Sequence, residues 1–369
     1  MTRVLTGAAP RRGDENWKYG QGSAQDLAPL PDGVCYADST ELTALKADGE
    51  VLWTRQFERP LSSPASTPEG AVFVHDRERL YALEPDGSTR WSRPVQAGLD
   101  PAAGPQGEVY LVDAKGRLRG IAPDGSEIFS RPLKRFWQKA SFSPPRVGPR
   151  GDLLVADRDR HVKAFSSDGK PLWSYSLPAG LAHGPVWGPD GGAALTTLDN
   201  ELIRVDSQGQ EVLRLKFEDE LTSEPGFDSQ GRLLVGDYMG TLWQIEDQAR
   251  PLTRLSSAPV DLTLASDGDL TVVTRWGQVH DLADPWSQDP GGFGGQAVCA
   301  PDGIVYVNNL RSGLHAIRTH RDPQAARDEE KRRAAELFAA TPEAEERTGI
   351  LEQGGWLLVG GVRVPRRQG

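Results

Sequence analysis

One turn recurs along this chain at nearly constant intervals, and few folds can accommodate it. Pro-Asp-Gly or a close variant ends at Gly33, Gly70, Gly107, Gly151, Gly191, Gly231, Gly268 and Gly303, with spacings of 37, 37, 44, 40, 40, 37 and 35 residues. Each glycine leads into a short apolar or alternating run, such as VCYAD, AVFVHD, EVYLVD or RLLVGD. The β-branched and aromatic residues in these runs suit a pleated surface, so they are read as strands. A second family of turns follows 16 to 18 residues later, at Gly49, Gly87, Gly125, Gly169 and Gly209. Asp-Gly between alternating runs marks a hairpin, because glycine takes φ > 0 without steric cost. Four residues beyond these glycines stand Trp53, Trp91, Phe129, Trp173 and Leu213, a series continued by Thr253 and, weakly, Trp286.

Periods of about 40 residues built from short strands and tight turns imply radial repetition rather than one sandwich. Each unit supplies four strands. Strand A precedes the first glycine, B follows it, C precedes the second glycine, and D carries the aromatic. Eight A-B-C sets are present, but after GIVYVNNLRSGLHAIRTHRD the sequence turns charged and the last D strand is missing. The segment ENWKYGQG near the start is a D strand, with Trp17, that lacks its own A, B and C. If it completes the last unit, a closed ring removes the exposed edges of an open array. The expected fold is therefore all-β: an eight-bladed β-propeller of four-stranded blades closed by the N-terminal strand.

The pattern ALxxDGxxxW, seen in ALKADGEVLW, ALEPDGSTRW and AFSSDGKPLW, resembles the PQQ-like repeat of eight-bladed, quinoprotein-type β-propellers. The resemblance runs from about residue 14 to 318 and is strongest in the first four blades. It fades in blades six and seven, where QIEDQARPLT lacks the glycine and HDLADPW is short. It implies that the Trp series packs blade against blade. Quinoprotein dehydrogenases of that family carry adjacent cysteines and calcium ligands, and this sequence has no Cys-Cys pair, no CxxCH and no calcium loop, so no cofactor is expected.

Three segments are expected: a flexible N-terminus at 1–13, the propeller at 14–320 and a tail at 321–369. The tail divides into a capped surface helix over 322–347, with Asp328–Arg332 and Glu329–Arg333 pairs, and a β-hairpin around Gly354-Gly355 with a basic end. A net charge of −10 argues against a nucleic-acid partner, which needs a basic face. Cys35 and Cys299 form no metal or disulfide spacing, and no apolar run is long enough to span a bilayer. The expected protein is cytoplasmic, not membrane-bound and monomeric by itself. The six histidines show no ligand spacing, and Asp157, Asp159 and His161 in ADRDRH fall where charge ordinarily meets solvent. PGGFGGQ lacks the following helix that a phosphate loop needs, and is read as a linker. No catalytic triad or dyad is readable, so the chain is not expected to be an enzyme.

What remains is surface. In a propeller the A-B and C-D turns share one face, here uniform. The B-C and D-A connections share the other, which varies from blade to blade and is where a repeat scaffold places function. RPLKRFWQK offers Lys134, Arg135, Phe136, Trp137 and Lys139 before blade four, and the B-C loops add Arg158, Arg160, Tyr238, Met239, Arg275 and Trp276. Interleaved Arg and aromatics are enriched at interface hot spots. With Trp356 in the tail, these are the candidate contacts of a non-enzymatic scaffold that binds another protein. The resemblance also extends to propellers that occur beside AAA-type ATPases and von Willebrand A proteins. Two alternatives remain: an outer-membrane-assembly-like propeller in the envelope, and a propeller lyase or quinoprotein-type enzyme.

Overall fold

The structure, a computed structural model, describes residues 15–19, 27–133, 142–148, 150–157, 160–264, 270–282, 287–288, 294–300, 303–309, 313–318, 352–353, 356–359 and 362–365. Two compact units are distinguished, Met1–His320 and Arg321–Gly369. The first contains eight four-stranded antiparallel sheets, each with its strands in A-B-C-D order. Blade one, for example, comprises Leu27–Leu30, Gly33–Asp38, Glu41–Lys46 and Val51–Gln56.

The eighth sheet consists of Gly294–Cys299, Ile304–Asn309 and Gly313–Arg318, with Glu15–Tyr19 as its outermost strand. Trp17 lies opposite Ala316, with a bulge between Glu15 and Trp17. Trp53 lies opposite Ala44 beside the same kind of bulge. The N-terminal strand thus occupies the repeated D position, and the ring closes as expected.

Apolar patterning explains the layering. B strands are buried end to end, as at Val72–His75 and Val109–Val112, because both of their faces meet protein. D strands alternate between exposed and half-buried residues, as at Glu211–Lys216, because only one face is covered. Each neighbouring pair of blades shares one apolar cluster. One joins Leu42, Ala44 and Phe57 of blade one to Val72, Val74 and Leu83 of blade two. Another joins Leu27, Val34 and Tyr36 to Ile304, Tyr306 and Leu314 across the seam between blades eight and one.

In blades one to four the aromatic of the D strand joins its blade to the next. Trp53 Nε1 donates to Pro85 O at 2.8 Å, and Trp91 Nε1 donates to Pro123 O at 2.8 Å. Both rings lie on the glycine of the following Asp-Gly turn. A Cβ on Gly87 (φ +81°) would fall 2.7 Å from Trp53 Cδ2, and one on Gly125 (φ +85°) 3.0 Å from Trp91 Cδ2. Phe129 covers Gly169 and Trp173 covers Gly209 in the same way. These glycines satisfy two constraints at once, a left-handed backbone and a covering ring.

Blade six departs from the counted pattern. In blade one, five residues separate the paired Leu45 and Val51, whereas in blade six three separate Ile245 and Ala249. The shorter turn moves the register, so Arg250, opposite Gln244, takes the position that counting gives to Thr253. Blade seven is reduced to Val279–Asp281 and Ser287–Gln288 in its outer strands, and Trp286 lies outside the described residues.

The second unit contains an antiparallel sheet of Glu352–Gln353, Trp356–Val359 and Val362–Pro365. The expected hairpin around Gly354-Gly355 gains a third strand, Val362–Pro365, with Val359 opposite Val362. The helix expected over 322–347 lies outside the described residues.

Candidate functional site

Backbone hydrogen bonds sort the connections into two faces. Ala47 N donates to Asp32 O, joining the C-D turn of blade one to its A-B turn. On the other face the D-A connections that follow blades one to six are each tied to the tip of their own B-C loop, as in Phe57 N to Thr40 O, Phe217 N to Asn200 O and Leu255 N to Gly240 O. The B-C tips are therefore held from beneath, and their side chains project from a fixed backbone.

On this face the chemistry changes around the ring. The B-C tips of blades one to four carry small or charged residues: Ser39 and Thr40, Arg77 and Glu78, Lys115, Arg160. Those of blades five to seven carry large apolar ones. Leu198 is 69% exposed, Tyr238 51%, Met239 49% and Trp276 54%. The Arg275 guanidinium of blade seven lies 5.2 Å from the centroid of the Tyr238 ring of blade six, bridging the two blades.

Beside this crest runs Glu218-Asp219-Glu220, all exposed, in the connection between blades five and six. Tyr238 N donates to Glu220 O at 2.8 Å, which fixes the acidic run against the aromatic tip. None of the three has an ion pair among the described residues. Two cations lie close: Lys216, whose Nζ donates to the Asp199 carbonyl, and Arg275 over Tyr238.

Next to Leu198 a cleft of about 580 Å³ opens between blades four and five, walled by Phe142, Leu181, Pro185 and Leu198 with Asp157 and His183 at its polar edge. Asp157 Oδ1 accepts from His161 N at 2.9 Å and lies 3.3 Å from His161 Nδ1, while Oδ2 lies 3.5 Å from Lys163 Nζ. Of the ADRDRH cluster, Asp157 is thus a turn cap, and Asp159 lies outside the described residues. Among the described residues no group of three His, Cys, Asp or Glu is placed to hold a metal ion. On the opposite face a smaller cleft of about 310 Å³ is lined by Pro29, Pro31, Pro68 and Leu264 and has no charged group among the described residues.

A strands contact A strands from blade to blade, which makes them the inner ring. There Arg146 of blade four pairs with Glu224, which leads into blade six, across the width of blade five. Gly184 lies beneath this pair, where a Cβ would come within 2.7 Å of Glu224 Oε1. Nearby Asp261 accepts from Ala297 N at 2.7 Å. Burial, with Glu224 as a further contributor, pushes its carboxyl up to about 6, against the opposing effects of the Ala297 amide and Arg146.

Of the contacts expected from sequence, the structure brings Tyr238, Arg275 and Trp276 together with Met239. Arg160 is exposed on a neighbouring blade tip, with Nη1 donating to Pro178 O at 2.8 Å. Lys134, Arg135, Phe136, Trp137, Lys139 and Arg158 lie outside the described residues, and Trp356 is placed only as backbone in its strand. Sequence reasoning passed over Leu198 and the run 218–220. The signal was available, since the tip TTLDNE carries a leucine where blade three carries Ala114 and blade four Arg158.

The family model described as "Outer membrane protein assembly factor BamB" matches residues 38–135 and 129–262. No curated protein matches the sequence. Among solved structures, BamB from Moraxella catarrhalis is 15% identical, with a TM-score of 0.60 over 85% of this chain and 100% of that one. Sqt1 of Saccharomyces cerevisiae is 13% identical, with a TM-score of 0.60 over 83% and 99%. A virginiamycin B lyase from Staphylococcus aureus, solved with quinupristin, is 14% identical, with a TM-score of 0.52 over 69% and 93%. At these identities the likeness is one of fold, and a lyase is among the chains that share it.

Proposed function

Since the chain belongs to the PQQ-like repeat family whose model is described as outer membrane protein assembly factor BamB, we propose that it is a non-enzymatic scaffold binding another protein through its B-C/D-A face. One observation carries this reading: Leu198, Tyr238, Met239 and Trp276 project from tips whose backbones are already hydrogen-bonded. Large apolar side chains grouped on a fixed surface mark an interaction site, whereas scattered ones do not. The narrower assignment follows the resemblance of the repeats: a cytoplasmic chain, monomeric by itself, serving an AAA ATPase or von Willebrand A-type system.

The test is a pull-down from the native cell using the wild-type chain, Tyr238→Ala/Trp276→Ala and Arg135→Ala/Trp137→Ala. Both variants are expected to melt like wild type, and at least one should lose the partner by more than tenfold, as a truncated hot spot does. Mass spectrometry of the captured protein and fractionation of the cell decide between the cytoplasmic system and an envelope assembly role. Capture that neither variant weakens would refute the face assignment.

A second reading, an enzyme, is favoured by the His161–Asp157 pair at the edge of the 580 Å³ cleft. It ranks second because Asp157 is already committed to the His161 amide and faces Lys163. A His161-dependent turnover of any cleft-sized substrate would promote it.

A further inference from the structure

We propose that the crest of blades five to seven docks a basic, amphipathic segment of a partner protein, whose Lys or Arg side chains face Glu218, Asp219 and Glu220. Its apolar side chains lie on Tyr238, Met239 and Trp276 and reach into the cleft beside Leu198. This deepens the scaffold reading and rests on it. The argument comes from charge complementarity. Asp199, Glu218, Asp219 and Glu220 are four exposed carboxylates along the crest, against Lys216, Arg254 and Arg275. Arg275 is committed to the Tyr238 ring and Lys216 to the Asp199 carbonyl, which leaves the 218–220 run to attract cations from outside. Carboxylates of one sign at the rim of an apolar patch steer oppositely charged partners and repel like-charged ones.

The same carboxylates select the class of partner. Phosphate backbones and anionic lipid surfaces are both polyanions and meet net repulsion here. A purely cationic polar segment would gain the rim contacts but leave four large apolar side chains in water. An acidic amphipathic segment would gain the apolar contacts and lose the rim. Only a segment with both features matches the whole surface, and the fixed tips keep the ordering cost on the protein's side small.

The experiment uses the full chain and three fluorescently labelled 16-residue peptides of one pattern: Leu/Lys amphipathic, Leu/Glu amphipathic and Ser/Lys. Binding by anisotropy should be strongest for Leu/Lys, by about tenfold over either control, and should weaken several-fold between low and high salt. The Glu218→Gln/Asp219→Asn/Glu220→Gln variant should lose about tenfold and most of the salt dependence. Met239→Ala/Trp276→Ala should fall to the Ser/Lys level. All these positions are exposed, and an unchanged melting curve confirms that folding is intact.

Equal binding of Leu/Lys and Leu/Glu, or no effect of the carboxylate variant, would overturn the proposal. So would binding to phosphatidylglycerol vesicles that the Met239/Trp276 variant abolishes. A native partner lost by Tyr238→Ala/Trp276→Ala but retained by the carboxylate variant would overturn this inference while leaving the scaffold reading in place.

Discussion

Gly87→Ala and Gly151→Ala separate the two jobs that a turn glycine can do in this ring. Both residues have φ +81°, so both substitutions place a Cβ on a left-handed backbone, at about 1 to 2 kcal/mol. On Gly151 the new atom meets Ser167 Cβ at 3.5 Å and Pro105 Cδ and Cγ at 3.7 Å, all ordinary contacts. On Gly87 it would lie 2.7 Å from Trp53 Cδ2 and 2.9 Å from Cγ, so the ring must move. Moving it breaks the Trp53 Nε1 to Pro85 O bond, a loss of about 1 kcal/mol. Uncovering some 80 to 100 Å² of its ring adds about 2 kcal/mol at 25 cal/mol per Å². Gly87→Ala should therefore exceed Gly151→Ala by about 3 kcal/mol. In a Trp53→Ala background its cost should fall back to the backbone term, giving a coupling of similar size. Urea unfolding followed by both fluorescence and circular dichroism measures this and checks that a single transition is present. Equal losses at the two glycines, or an undiminished Gly87→Ala effect without Trp53, would refute the ring-on-glycine lock.

Deleting residues 1–20 removes the strand paired with Gly313–Arg318. It should lower the melting temperature and promote association through the bared edge, detectable by light scattering. Asp261 should make stability pH-dependent. Its folded pKa of about 6 lies above the ordinary 3.8, so the folded state holds the proton more tightly than the unfolded chain. Stability from this group is then greatest below about pH 4, declines as pH rises to about 6 and is flat beyond, and Asp261→Asn should flatten the melting-temperature profile over that window. Trp173, buried against Gly209 and Trp187, should cost about 3 to 5 kcal/mol when replaced by alanine, whereas Trp276→Ala should stay within about 0.5 kcal/mol by chemical denaturation.

The ring was legible because each blade repeats one local solution. The alanine before the Asp-Gly turn is small because the D aromatic lies across from it: Ala44 opposite Trp53, Ala82 opposite Trp91, Ala164 opposite Trp173. At Gly120, opposite Phe129, even a Cβ would come within 2.4 Å of the ring. The motif therefore records contacts within a blade and between blades at once. Where the lock changes, the motif fades from both sides together. Blade five offers Leu213 in place of an aromatic, and the facing turn of blade six, Glu246-Asp247-Gln248, has no glycine. Counting residues failed there because the turn is two residues shorter, and spacing cannot report a register that a bulge resets. The crest was only half legible. Tyr238 and Trp276 announce themselves by type, but that Glu220 lies against Tyr238 follows from a backbone bond between positions 18 apart.

Two kinds of lock hold the ring, and their distribution bears on where binding can reside. The aromatics of blades one to four, each on a turn glycine of the next blade, form the outer lock. Toward the seam the inner strands take over. Those of blades seven and eight, Pro259–Leu264 and Gly294–Cys299, are six residues each, against two in blades two to six. Thr222 Oγ1 donates to Pro259 O, Thr263 Oγ1 to Ala297 O, and Leu27 N to Gln296 Oε1, linking blades six through eight and back to one. Blades six and seven of the crest lie in this sector, where the blades are tied through the centre of the ring. Its tips are anchored separately: Leu198 N to Gly180 O, Tyr238 N to Glu220 O and Arg275 N to Ala258 O. Side chains there contribute little to the locks beneath them, which frees Leu198, Met239 and Trp276 to be large and apolar without serving the core. A docking surface that is rigid in its backbone and independent of the fold in its side chains can change its partner without unmaking the ring.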